Sequence, residues 1–201
     1  MSTFELLFEI HPVTEEILDG VVEEIDSGHS THGNTHLLTV WIDGHSALAA
    51  AREAVAALSR LGVVVVRLYE DLVTRQDIAD RAQATRQAVG QWIRGERRVS
   101  AERPFPEPYH VVGGGVWLWS EVNSWLAQFG DSDDVMHPNR CDFPLVNASI
   151  LETNMFEERN AYRSTLVSFH RSAVQSPPST PTAQRTGGSS WQKRESYVLV
   201  S

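Results

Sequence analysis

An α+β fold is predicted for this chain of 201 residues by three patterns in its sequence. In the first third, segments that alternate apolar and polar residues are interleaved with segments of helical periodicity. In the middle, two short helical segments precede a glycine-rich hairpin pattern. In the last third, weakly periodic helical sequence is followed by Ser-, Thr-, Pro- and Gly-rich sequence that is typical of disorder. We therefore expect four regions: 1–70, 71–130, a helical extension at 131–170 and a disordered tail at 171–201.

The sequence of residues 1–70 predicts six elements in the order β-α-β-β-α-β. Strands are expected at 4–10, 30–32, 37–42 and 63–68, and helices at 15–25 and 47–61. Gly33-Asn34 is the kind of two-residue turn that joins hairpin strands, and Gly62 suits the C-terminal cap of the second helix. This order is that of the ferredoxin-like fold, in which both helices cover one face of an antiparallel sheet. Because that fold hosts many functions, the sequence favours a dimerisation or packing module, with a small-ligand sensor as the alternative.

The formal charge of −9 is concentrated in the first third of the chain. Residues 1–73 carry twelve acidic side chains and three arginines. Residues 74–130 carry six acidic side chains and seven arginines, and five of these arginines fall between positions 86 and 103. An acidic protein therefore contains one locally positive segment, as expected of a surface that binds a polyanion such as DNA.

Residues 74–95 are typical of a helix-turn-helix. Thr74 and Thr85 are good N-caps, and Asp77 completes a capping box with Thr74. The helical period directs one set of residues into the core: Ile78, Ala79 and Ala82, then Ala88, Val89, Trp92 and Ile93. Positions 86, 87, 90, 91 and 94 of the second helix are then expected to face solvent, and four of these five are Arg or Gln.

Arginine and glutamine suit DNA recognition, because Arg pairs with the acceptor edge of guanine and Gln pairs with adenine. The second helix is therefore predicted to contact bases through Arg86, Gln87, Gln91 and Arg94. The basic residues that follow it are predicted to contact phosphates: Arg97, Arg98 and Arg103. Gly90 is expected to leave the backbone open to solvent. The alternative is an amphipathic helical hairpin with a solvated polar face.

A β-hairpin and a further helix are predicted after this unit. The hairpin consists of residues 109–112 and 116–119, which flank Gly113, Gly114 and Gly115. Ser120 is predicted to cap the helix, and Gly130 to close it. A hairpin beside a helix-turn-helix is a wing. The alternation of Trp117 and Trp119 favours packing in the core, with stacking on nucleic acid as the alternative.

The middle region resembles the MerR-like, excisionase-like winged-helix domains of actinobacterial and phage DNA-binding proteins. The resemblance covers residues 72–129, in TRQDIADRAQATRQAVGQWIRGERR followed by FPEPYHVVGGGVWLWSEVNSWL. It implies that the second helix enters the major groove and that the wing touches the neighbouring minor groove or backbone. For the major groove, the resemblance implicates Thr85, Arg86, Gln87, Gln91 and Arg94. For the wing, it implicates His110, Gly113, Gly114 and Gly115.

Two departures from this pattern affect the expected geometry and affinity. Gln83 stands where such turns have glycine, so we expect a strained left-handed backbone at this residue. The wing tip has glycines where related domains carry a basic residue, so its contacts are expected to be weak. A single domain with so few positive charges should bind DNA modestly, which favours a homodimer on paired half-sites.

Histidines in the first region raise the question of a metal site. The spacing His29-x2-His32-x3-His36, with His45 nearby, supplies imidazole ligands of the kind that zinc uses. Strand alternation leaves the relative placement of these rings open, and a polar histidine-rich hairpin is the preferred interpretation. We expect no metal and no other cofactor.

Other functional classes find little support in the sequence. Cys141 is the only cysteine, which excludes an internal disulfide and a thiolate zinc cluster. We find no paired carboxylates, nucleophile-base set or phosphate loop, and expect no enzymatic activity. No segment approaches the ~20 apolar residues of a membrane span, and the N-terminus lacks the pattern of a signal peptide. A cytoplasmic, nucleoid-associated protein without a membrane partner is therefore expected.

Taken together, these patterns predict a sequence-specific protein that binds double-stranded DNA, in the role of a transcriptional regulator. One alternative is an excisionase-like architectural factor of a mobile element. Another is a protein-interaction module with the same fold. A protein partner would dock on the N-terminal domain or the tail, whose residues 197–200 form an apolar end. The acidic segment 131–134 is expected to be a flexible spacer, and a helix is predicted within 145–169.

Overall fold

The computed structural model describes residues 1–98 and 102–174, with side chains described through residue 164. The chain divides into two compact units, Met1–Asn160 and Ala161–Ser201. The first unit is a mixed α/β structure with a small antiparallel sheet, a two-stranded ribbon and several helices. Of the second unit, only helical residues 161–174 are described. The predicted disordered tail therefore lies outside the described residues from position 175 onward, as does the apolar end at 197–200.

A four-stranded sheet forms the centre of the first unit. Its strands are β1 (Ser2–Ile10), β2 (Ser27–His32), β3 (Thr35–Gly44) and β4 (Val65–Leu68). Their spatial order is β2-β3-β1-β4, and every neighbouring pair is antiparallel. Helices α1 (Glu15–Glu24) and α2 (Ala47–Arg60) connect β1 to β2 and β3 to β4. The elements therefore follow one another in the predicted order.

Local signals in the sequence account for these boundaries. Gly33 has a φ of +63° in the turn between β2 and β3, and Gly62 has a φ of +82° after α2. The Ser46 hydroxyl caps α2 by accepting a hydrogen bond of 3.2 Å from the Ala49 N–H. Within α1, Val21 is the buried residue, whereas the neighbouring Val22 is 57% exposed.

The last helix, α6, belongs to the core of the sheet. It extends over Asp142–Val174, which confirms the predicted helix but places its start earlier. Phe143, Val146 and Ile150 are buried in the same apolar cluster as β1 and α2. Its first half is therefore part of the sheet domain. Among the helices in the described part of the chain, none has the length and apolarity needed to cross a membrane.

Buried residues of the middle region form a second apolar cluster. Its elements are β5 (Leu72–Val73), α3 (Arg75–Arg81), α4 (Arg86–Ile93), β6 (Trp117–Leu118) and α5 (Trp119–Leu126). β5 and β6 pair antiparallel, with Val73 opposite Trp117. Trp117 is 2% exposed and Trp119 is 3% exposed. Both indoles therefore pack in this cluster and are not available for stacking on bases.

Candidate nucleic-acid interface

The predicted caps form the two helices of the middle region. The Thr74 hydroxyl accepts the Asp77 N–H at 3.3 Å, and the Asp77 carboxylate accepts the Thr74 N–H at 2.8 Å. Hydrogen bonds from Thr74 lower the pKa of Asp77. At the start of α4, the Thr85 hydroxyl accepts the Ala88 N–H at 3.1 Å. Both predicted caps are confirmed, and Thr85 serves as the N-cap of α4.

The turn between α3 and α4 has the expected strained backbone. Gln83 has a φ of +49°, in the left-handed region that favours glycine. The chain still closes, because the Ala84 N–H donates a 2.8 Å hydrogen bond to the Ala79 carbonyl. A non-glycine residue in this conformation costs roughly 1–2 kcal/mol. The turn therefore depends on packing of the flanking helices to hold it.

The outer face of α4 is narrower than predicted. Arg86 and Gln87 are exposed and Gln91 is half-buried. Gly90 is buried, so the prediction that it faces solvent is wrong. A Cβ atom at Gly90 would lie 3.4 Å from Nη1 of Arg94, because that side chain lies back over the helix. The free polar face of α4 is therefore formed by Arg86, Gln87 and Gln91.

Arg94 is exposed but paired within the chain. Its guanidinium donates to both carboxylate oxygens of Glu96, at 2.6 and 2.8 Å. The hydrogen bond from Arg94 lowers the pKa of Glu96. Exposed ion pairs are worth little, so this one can exchange for another anion at small cost.

Arg98 is half-buried against aromatic rings, so the prediction that it is a free phosphate contact is wrong. Its guanidinium carbon lies 4.6 Å from the Trp92 ring centre and 4.5 Å from that of Phe129. It also forms an ion pair with Asp131. Its φ of +60° lies in the left-handed region. Arg97 and Arg103 are exposed, so they remain the basic side chains available after α4.

The predicted wing is reduced to a short irregular loop. His110 and Val116 form an isolated antiparallel bridge, and 112–114 form a 3-10 turn. The regular strand β6 pairs with β5 and not with residues 109–112, so the prediction of a full hairpin is wrong. Among the described residues, hydrogen bonds across the loop are limited to Tyr109 and His110 with Val116, because residues 117–118 pair with β5 instead.

The glycine loop at 113–115 is nevertheless fixed to α3 and β6. Nη2 of Arg75 donates to the Gly114 carbonyl at 3.2 Å. The side chain of Trp117 lies so close to Gly115 that a Cβ there would lie 2.7 Å from the indole. A surface depression lies between wing and helices and is lined by Thr74, Arg75, Gln76, Arg86, Gly113, Gly114 and Gly115. Arg86 and Gly114 are therefore brought together, while the exposed His110 lies at the base of the loop.

Arg75 and Gln76 line this depression but are not among the site residues that the sequence predicts. Both follow the N-cap Thr74 at the start of α3, which places Gln76 on the surface and Arg75 half-buried. Polar residues directly after a predicted N-cap would have been the signal. Their proximity to the wing depends on the fold of residues 113–115, which local sequence does not determine.

The carboxylate of Asp133 holds α5 in place. Asp133 accepts hydrogen bonds from Trp119 Nε1 at 2.9 Å, Asn123 Nδ2 at 2.6 Å and His137 Nε2 at 2.9 Å. Burial raises the pKa of Asp133, but the hydrogen bonds from His137 and Trp119 outweigh burial and hold it at about 2. The prediction that 131–134 is a flexible spacer is therefore wrong.

The start of α5 also differs from the prediction. The helix begins at Trp119 after the N-cap residue Leu118. Ser120, the predicted cap, is 7% exposed within the first turn, and its hydroxyl has no hydrogen-bond partner among the described residues. The α-helix ends at Leu126, a 3-10 turn continues it over Ala127–Phe129, and Gly130, with a φ of +74°, closes that turn.

Backbone and charged contacts connect residue 136 to the sheet and α3 to the segment after β4. The Glu5 N–H donates to the Met136 carbonyl at 2.9 Å, and the Met136 N–H donates to the Thr3 carbonyl at 3.0 Å. Arg81 donates to both carboxylate oxygens of Asp71, at 2.5 and 2.9 Å. Residue 136 thus lies alongside β1, and α3 is fixed to the connection that follows β4.

Two of the histidines considered as metal ligands lie side by side. Nδ1 of His36 lies 3.4 Å from Nε2 of His29, and the rings stack at 5.6 Å. Burial and the neighbouring His36 lower the pKa of His29. His32 is three residues from His29 in the same strand, so alternation directs it to the other face. Within the residues that the structure describes, no three His, Cys, Asp or Glu side chains are grouped so as to hold a metal ion.

No protein family, curated protein or solved structure shows detectable similarity to this chain.

Proposed function

We propose that the protein binds double-stranded DNA with sequence specificity through α4 and acts as a transcriptional regulator. The observation that carries this proposal is the outer face of α4, where Arg86, Gln87 and Gln91 project from a helix whose inner face is anchored by Val89 and Trp92. These side chains have the donors and acceptors needed for base edges in the major groove.

The surroundings of α4 support this proposal. Arg86 borders the same depression as the wing loop, so a duplex that meets α4 would also meet the glycine backbone. Arg97 and Arg103 are exposed beyond the end of α4 and are suited to phosphate contacts. Arg94 would join them by exchanging Glu96 for a phosphate. Arg98 is assigned a packing role instead.

In this proposal, residues 1–70 form a ferredoxin-like domain and residues 71–130 a MerR-like or excisionase-like winged helix-turn-helix domain. The strand order β2-β3-β1-β4 and the arrangement of β5 and β6 around the two helices support these assignments. We also propose that the chain acts as a homodimer at the nucleoid in the cytoplasm, because one α4 offers few contacts and paired half-sites double them.

The test compares the wild type with Arg86→Ala/Gln91→Ala on duplexes selected from a random pool. We expect the double variant to lose about 2–6 kcal/mol of specific binding, since each good base contact is worth about 1–3 kcal/mol. Arg52→Ala, which changes an exposed arginine on α2, is the matched control and should bind like the wild type. Fluorescence anisotropy at several salt concentrations measures both specificity and counterion release.

Two outcomes would overturn the proposal. One is a double variant that footprints like the wild type. The other is a wild type that binds no duplex even at low salt, which would favour a module that binds another protein through the same face.

A further inference from the structure

The two edges of the four-stranded sheet differ in how they are covered. At the β4 edge, the Asn147 side chain accepts the Leu68 N–H at 2.7 Å, and Nδ2 of Asn154 donates to the Val65 carbonyl at 3.0 Å. Helix α6 thus satisfies backbone groups that would otherwise be open to another strand. At the opposite edge, residues 28–34 of β2 and its turn are exposed. An open edge of this kind is a template for pairing with another chain.

The hydrogen-bond pattern shows which groups of β2 point outward. The Trp41 N–H donates to the Asp26 carbonyl at 3.0 Å, so the pair Asp26–Trp41 is a hydrogen-bonded pair of the ladder. Hydrogen-bonded pairs alternate along an antiparallel ladder. Gly28, Ser30 and His32 therefore bond to β3. The N–H and C=O groups of Ser27, His29 and Thr31 are directed away from the sheet.

The charge of this edge is unusual for its domain. Residues 1–73 carry twelve acidic side chains and three arginines, but Ser27–His32 contain no Asp, Glu, Lys or Arg. Two copies of so acidic a domain repel each other over most of their surface. Along this edge, β2 itself therefore brings no charged side chain against a second copy.

We propose that β2 is the homodimer interface, where it pairs antiparallel with β2 of a second copy about a two-fold axis at His29. In this register His29 faces the partner's His29, and Ser27 faces the partner's Thr31. Each pair exchanges two backbone hydrogen bonds through the outward groups, and the helices of both copies lie on the same side of one continuous sheet. Registers with the two-fold axis at Ser27 or Thr31 pair fewer of the outward N–H and C=O groups.

This inference rests on the proposed homodimer but not on DNA binding. It names the surface that would set the distance between two α4 helices. The dimer is therefore tested with the full chain in the absence of DNA, so that its failure is separate from failure of the DNA-binding proposal.

The first experiment removes an outward hydrogen-bond donor. Thr31→Pro deletes an N–H that points away from β3, and proline is tolerated at such edge positions. Thr31→Ala keeps the N–H and is the matched control. Light scattering and sedimentation should find dimers for the wild type and Thr31→Ala, and monomers with an unchanged circular dichroism spectrum for Thr31→Pro.

The second experiment tests the register and does not depend on how Thr31→Pro folds. In a Cys141→Ser background, His29→Cys should form an intermolecular disulfide under mild oxidation, because hydrogen-bonded pairs have Cα atoms about 5.5 Å apart. Ser30→Cys is the control and should not crosslink, because Ser30 faces the partner's Gly28 and two Ser30 residues lie about 7–8 Å apart.

The possible results separate the two ideas. A monomeric wild type at tens of micromolar overturns both the homodimer and its interface. A dimer that survives Thr31→Pro and gives no His29→Cys disulfide keeps the homodimer but overturns the β2 interface. A disulfide formed by Ser30→Cys and not by His29→Cys overturns the proposed register.

Discussion

Replacing Asp133 by alanine is expected to destabilise the protein by about 3 kcal/mol, because a buried donor left without a partner costs about 1–3 kcal/mol. Trp119 is 3% exposed and Asn123 is 6% exposed, and both donate to this carboxylate. The free-energy cost at Asn123 is smaller than that at Trp119, since Nδ2 of Asn123 also lies 3.4 Å from the Val135 carbonyl. The His137 contact adds to the loss.

The assay is urea unfolding followed by tryptophan fluorescence, with Trp119 as a reporter inside the affected cluster. Asp19→Ala, which removes an exposed carboxylate on α1, is the control and should change stability by less than about 0.5 kcal/mol. An Asp133→Ala protein that unfolds at the same urea concentration as the wild type would refute the stabilising role assigned to the Asp133 hydrogen bonds.

The pH dependence of the same variant gives a second check. The folded-state pKa of Asp133 is about 2, below the ordinary value of 3.8. A carboxyl whose pKa is lowered by folding contributes stability above its unfolded pKa, and loses it as the pH falls through the folded value. The difference in stability between wild type and Asp133→Ala should therefore be fully present between about pH 4 and pH 5 and shrink from there toward pH 2. A constant difference down to pH 2 would contradict this reasoning.

Two further predictions concern the strained backbone of the middle region. Gly115→Ala should destabilise the protein by about 3 kcal/mol, since its Cβ would lie 2.7 Å from the Trp117 indole at a φ of +102°. Gly114→Ala, with a φ of +96° and no atom within 4 Å of its Cβ, should cost only about 1–2 kcal/mol in the same thermal or urea unfolding experiments. Gln83→Gly should raise the unfolding midpoint by relieving roughly 1–2 kcal/mol of left-handed strain, offset by about 0.5–1 kcal/mol of backbone entropy. Gln83→Ala retains the strain, so equal midpoints for the Gly and Ala variants would disprove the explanation.

Features that depend on residues close together in the chain are predicted well. Thr74, Thr85 and Gly62 mark helix ends as expected, because a cap involves groups within four residues of one another. The turn at Gly33 is recognised for the same reason. The alternation in β1 correctly identifies its buried face, since successive side chains of a strand point to opposite sides.

Features that depend on distant partners are missed. The sequence assigns Arg98 to a phosphate because it follows a basic helix, but Asp131 and the aromatic rings bind it within the chain. Segment 131–134 has the composition of a spacer, yet Asp133 finds donors on α5. Asp131 is 33 residues from Arg98, and Trp119 and Asn123 are 14 and 10 residues from Asp133, so no local pattern reports these partners.

By itself, the sequence determined the order of the helices and strands over residues 1–70 and the places of Arg86 and Gln87 on the outer face of α4, because caps, turns and periodicity are local properties of the backbone. Only the tertiary structure decided which arginines are free. Arg86 stays on the surface beside the wing, whereas Arg94 pairs with Glu96 and Arg98 packs on Trp92. The tertiary structure also sets the shape of the loop at 109–116, since β6 pairs with β5 and not with residues 109–112. The physical reason is that a charged or apolar side chain takes whichever partner folding brings near, and that partner is set by packing across the whole domain.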